Sequence, residues 1–124
     1  MDQPYFATTI GTVLRMLPGA TVPESGRKMF ALGDAGVLSQ TLKQAGFPSV
    51  EERLVTVPWT WPGKPEEVWE YFQDVTVPFA PLLQSIPAER RTEIDAEVLW
   101  SIARYYDGAS IKFTATVNIA VAVK

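Results

Sequence analysis

Apolar positions fall into two kinds of pattern along this chain, one helical and one alternating, and their order predicts the architecture. From Pro4 to Leu17, Phe6, Ile10, Val13, Leu14 and Leu17 recur at spacings of three and four, an amphipathic helical stripe that Pro18-Gly19 stops. The stretch from Pro18 to Lys28 shows no period and reads as a loop. A second helix carries Val37, Leu38, Leu42 and Ala45 on one side, with Asp34 placed to cap its free amides and Gly46 to close its end. Then the period changes to two. Val55, Val57, Trp59 and Trp61 alternate with Thr56, Pro58 and Thr60, which predicts a strand over 50–61, with Pro58 marking an edge or the strand's end because it donates no ladder hydrogen bond.

Pro62-Gly63 ends that strand, and Pro65 opens a helix bearing Val68, Trp69 and Phe72 on one face. Pro78 and Pro81 permit only short helical pieces through Phe79, Leu82 and Leu83. From Pro87 the longest helix is expected, with Ile94, Val98 and Ile102 every fourth residue and its end near Gly108. Ile111, Phe113, Ala115, Val117, Ile119, Val121 and Val123 form a second long strand. Its later half, where Ala120 and Ala122 make both sides apolar, is expected to be covered on both faces.

Composition narrows the chemistry. The 124 residues suit a single domain with one core, and 47% hydrophobic content is far from the signature of disorder. With no Cys and no His, thiol nucleophiles, disulfides, thiolate metal sites and the usual neutral-pH base are all missing, so no metal is expected. A net charge of -3, with Arg27-Lys28 and Arg90-Arg91 as the only adjacent basic pairs, argues against nucleic acid. Neither a signal peptide nor a membrane span is apparent, which makes the cytoplasm the expected location. Glu66, Glu67 and Glu70 open a helix, where its dipole accounts for them without catalysis.

Several phrases carry a resemblance: Pro4-Tyr5-Phe6, Phe30-Ala31-Leu32-Gly33-Asp34, Leu42-Lys43-Gln44-Ala45-Gly46-Phe47 and Val55-Thr56-Val57-Pro58-Trp59. In their order and spacing they resemble the C-terminal part of class I S-adenosylmethionine-dependent methyltransferases, in particular the ubiquinone/menaquinone-biosynthesis-like group. The resemblance implies an α/β fold: the C-terminal part of a Rossmann-like methyltransferase, a long antiparallel strand pair with packed helices. Residues 62–108 would be a helical substrate-side insertion between the strands. The glycine-rich turn that would hold S-adenosylmethionine has no counterpart, since no Gly-x-Gly occurs. The chain is therefore expected to bind no cofactor and to be inactive alone, with no catalytic residue assigned.

The resemblance places Tyr5 and Phe6 near the methyl acceptor, with Tyr5 a candidate hydrogen-bond donor to it. Trp59, Trp61, Trp69 and Phe72 gather where the strand meets the inserted helices, and these rings suit either an acceptor pocket or a core. Strands cut from a larger sheet leave an edge exposed, so the expected partner is a second copy, giving a dimer, or a separate N-terminal methyltransferase half. A different reading comes from Pro65-Glu66-Glu67-Val68-Trp69-Glu70 with Asp74, which resembles the first helix of polyketide-cyclase or START-like domains and would imply a small apolar-ligand module. That fold finishes on a long helix over a many-stranded sheet, whereas this sequence predicts a terminal strand.

Overall fold

The computed structural model describes residues 3–124, and its frame is an antiparallel ribbon of two 13-residue strands. Strand β1 (Ser49–Trp61) pairs with β2 (Ile111–Val123) in continuous register from Ser49 opposite Val123 to Trp61 opposite Ile111. Seven helices accompany it among the described residues: α1 (Pro4–Thr8), α2 (Ile10–Met16), α3 (Glu24–Met29), α4 (Val37–Gln44), α5 (Pro65–Val75), α6 (Ala80–Gln84) and α7 (Arg91–Ala103). Short 3-10 turns at Val77–Phe79 and Ala88–Arg90 lead into α6 and α7. The chain is thus a mixed helix and strand structure whose sheet has two strands.

The core sits at one end of the ribbon. Trp59 lies opposite Phe113 and Trp61 opposite Ile111, and against this apolar pair of rungs pack Tyr5, Val68, Trp69 and Phe72. The α7 spacing does what its period predicts, because Ile94, Val98 and Ile102 are all fully buried. Thr12 and Ser101 let α2 approach α7 closely, and their hydroxyl oxygens lie 3.3 Å apart, within hydrogen-bond distance. Arg91 and Trp69 both donate to the Asp95 carboxylate, at 3.1 and 2.9 Å, so α5 and α7 are joined by a polar bond at the core's margin.

The ribbon's hydrogen-bonding sense follows from one contact. Lys112 N–H donates to Tyr105 O at 2.7 Å, away from β1. Antiparallel alternation then turns the backbone groups of every even-numbered residue in both strands outward. Pro58 is one of these, so its missing donor removes no ladder bond.

Five expectations need correction. The helix predicted over Pro4 to Leu17 is broken at Thr9, which takes φ −95° and ψ −90°. Hydroxyls of Thr8, Thr9 and Thr12 each donate to the carbonyl four residues earlier, at 2.7, 2.6 and 2.9 Å, and such back-bonding bends helices. The supposed loop from Pro18 to Lys28 contains α3, too short to show a period and anchored by Ser25 Oγ donating to Pro78 O at 2.6 Å. Asp34 does not cap α4, because a turn intervenes and Gly36, at φ +83°, occupies the cap position. The long helix ends at Ala103 rather than near Gly108, and a separate turn follows, in which the Asp107 carboxylate accepts N–H bonds from Ser110 and Ala109 at 2.8 and 2.9 Å. Those bonds hold the Asp107 carboxyl below its ordinary range.

The fifth correction matters most for function. The second half of β2 is the exposed half, with Val121 at 60% and Val123 at 58% of full accessibility. Among the described residues no third strand lies beside it. α4 and the loop before it approach this end, through Ser39 N–H donating to Glu52 at 3.0 Å and Asn118 Nδ2 donating to Leu32 O at 3.0 Å. The end of α4 itself is as predicted: Phe47 N–H returns to Leu42 O, Gly46 N–H to Lys43 O, and Gly46 has φ +102°.

One packing contact gives an early test. A Cβ at Gly26 would stand 2.5 Å from the Phe79 ring, whose side chain is fully enclosed. Gly26→Ala is expected to lower stability by about 1–3 kcal/mol, read from urea denaturation, despite alanine's better helix propensity.

Candidate functional site

A concave site opens where α1 and α2 meet α3, bounded below by the Val77–Phe79 turn. Phe79 and Ile10 form its buried floor, and Phe6, Phe30 and Val22 its half-buried walls. Phe6 and Phe30 meet edge to face at 5.0 Å and 90°, and Phe79 lies 6.0 Å from Phe6 and 6.4 Å from Phe30. The cleft holds about 430 Å³, inside the range of small-molecule sites. Its two charged groups, Arg27 and Asp34, sit at the solvent-exposed rim together with Ala7.

The residues predicted for a pocket divide. Phe6 lines the cleft. Tyr5, Trp69 and Phe72 are interior, and Trp59 packs 4.5 Å from Tyr5 as part of the same core. Trp61 is half-buried, 4.8 Å from Tyr71 at the mouth of the ribbon. Trp69 uses its indole N–H on Asp95, leaving it no donor for a ligand.

Tyr5 is buried at the junction of α1 with the ribbon. Burial pushes its hydroxyl above the ordinary phenol value, the Thr76 side chain opposes this, and Tyr71 adds to it. A phenol raised in the folded state stabilises the fold fully below the unfolded pKa, and that contribution is lost as pH climbs through the folded value. Across neutral pH Tyr5 is a neutral group enclosed among rings.

Sequence reasoning missed Phe30, Phe79, Arg27 and Val22. Phe30 had been noticed only as the start of Phe30-Ala31-Leu32-Gly33-Asp34, and Phe79 sits in a proline-interrupted stretch with no period to reveal its face. Arg27 belonged to the segment read as a loop. Asp34, freed from the capping role, is the acidic member of the rim.

A second, larger concavity of about 500 Å³ lies between the Met29–Gly33 stretch, Leu38 and the ribbon residues Leu54 and Val117. It carries no charged side chain and continues the exposed apolar surface of the ribbon. Among the described residues no group of three or more acidic side chains could hold a metal ion, and no helix is long and apolar enough to cross a membrane. No protein-family profile and no curated protein matches this sequence.

Proposed function

We propose that these residues form the substrate-side, C-terminal portion of a class I S-adenosylmethionine-dependent methyltransferase, which acts by association with a cofactor-holding half. The observation that carries this reading is a long antiparallel strand pair whose last strand offers an unpaired edge, while Phe79, in the turn between the strands, supplies floor to an apolar cleft walled by the segments before β1. In the resembled family the sixth and seventh strands are such a pair, entered from a helix that ends in Ala-Gly-Phe, and Ala45-Gly46-Phe47 here closes α4 immediately before β1. The C-terminal part of a Rossmann-like sheet is the finer description of the fold that goes with this proposal.

Methyl transfer to an acceptor needs the acceptor placed and desolvated against a sulfonium, and this chain's contribution would be that placement. The α1, α2 and α3 walls exclude water from an apolar acceptor, while the cofactor's ribose and adenine would be held elsewhere. The glycines at 11, 19, 26, 33, 36, 46, 63 and 108 supply no Gly-x-Gly turn for them. The polyketide-cyclase or START-like reading is less well supported, because the sheet has two strands and the last element is β2.

Calorimetric titration with S-adenosylmethionine tests the proposal. The chain alone is expected to give no heat. Co-expressed with a methyltransferase half that carries the glycine-rich turn, it is expected to co-purify and the complex to bind the cofactor. Micromolar binding by the chain alone would overturn the division of labour, and failure to pair with any such half would overturn the association.

A further inference from the structure

We infer that the cleft between α1, α2 and α3 binds a planar, mostly apolar ligand bearing a single negative charge, which Arg27 receives. The walls set the apolar, planar part: the half-buried Phe6 and Phe30 rings, perpendicular to each other above the buried Phe79, offer a face and an edge to a flat ring system. Nothing on the floor or walls offers a side-chain hydrogen bond, so polarity is confined to the rim.

The rim sets the charge. Arg15, Arg90 and Arg91 each hold an acidic side chain, and Arg104 lies over the Trp100 ring. Lys28, next to Arg27 in the chain, is paired with Glu24 at 3.0 Å. Arg27 and Arg53 have no ion pair among the described residues, and of the two it is Arg27 that lines the cleft. A guanidinium fork matches the two oxygens of a carboxylate or sulfonate and stays charged at any workable pH. Asp34 on the same rim repels a second anionic group, which selects a monoanion over a phosphate dianion. The shared chemistry is therefore an aromatic carboxylate. Calling it the methyl acceptor rests on the methyltransferase reading, whereas its binding does not.

A matched pair of fluorescent probes separates these elements: 8-anilino-1-naphthalenesulfonate, and N-phenyl-1-naphthylamine, the same ring system without the sulfonate. Titrated into the whole chain without cofactor, both are expected to bind saturably at one site, the anion more tightly. Arg27→Gln, at an exposed position, is expected to weaken the sulfonate about tenfold and to change the neutral probe less than twofold. Ala7→Phe, also exposed, fills the mouth and is expected to remove both probes. The inference is overturned if Arg27→Gln leaves the sulfonate unchanged or weakens both probes alike, or if Ala7→Phe leaves either bound. Because cofactor is absent throughout, that failure would leave the methyltransferase reading standing.

Discussion

Phe72→Ala is expected to destabilise the chain by about 3–5 kcal/mol, the usual range for removing a fully enclosed phenylalanine. Phe72 has no exposed surface and is the ring on which the aromatic core converges. Trp69 stacks on it at 5.6 Å and 17°, Phe79 at 6.1 Å and 28°, and Tyr5 meets it edge-on at 5.6 Å. These neighbours come from α5, the Val77–Phe79 turn and α1, so collapse of one cannot fill the void without moving the others. Domains of this size are stable by about 5–15 kcal/mol, which makes the loss a large share of the total. In urea the midpoint should fall by about 2 M. Phe72→Leu keeps most of the volume and should cost only about 1–2 kcal/mol. Equal losses for the two variants would mean that the rings repack freely, and the ordered cluster would be wrong.

The parts of the fold visible in the sequence were those whose pattern is enforced by burial. In α7, Ile94, Val98 and Ile102 must face one way, and the spacing of four shows it. Trp59, Trp61, Ile111 and Phe113 share a ribbon face because a strand's period is two, so both strands were legible to within a residue. What failed was local polar chemistry and tertiary extent. Threonine hydroxyls break the first helix while leaving its apolar stripe intact. α3 is held by a contact to Pro78, 53 residues away, which no local pattern records. The exposure of Val121 and Val123 was misread because an apolar strand looks the same whether it is covered by its own chain or waiting for another. Of the cleft's lining, Phe6 is among the residues singled out in the sequence, whereas Phe30, Phe79 and Arg27 meet only through the fold.

That uncovered strand carries the second large prediction. The two edges of the ribbon differ in protection: β1 carries Glu51, Glu52, Arg53 and Pro58, the usual guards of an edge, while β2 has neither charge nor proline from Phe113 to Val123. Part of the β2 edge is already occupied, since Tyr105 O takes Lys112 N–H and the Gln3 side chain donates to Thr116 O. Beyond Thr116, the outward backbone groups are those of Asn118, Ala120 and Ala122. Light scattering is expected to show association of the chain at micromolar concentration, two β2 strands pairing edge to edge.

Ala120→Pro should leave a monomer with nearly unchanged stability, because proline there removes a donor that points away from β1. Ile119→Pro, one residue earlier, removes a donor that points at β1, so it should instead weaken the ribbon itself, by about 1–3 kcal/mol. A wild-type chain that stays monomeric would eliminate the second copy as partner of that edge. If the two proline variants behave alike, the outward assignment of the even-numbered residues fails, and the association would have to run through the apolar face of Val117, Ile119 and Val121.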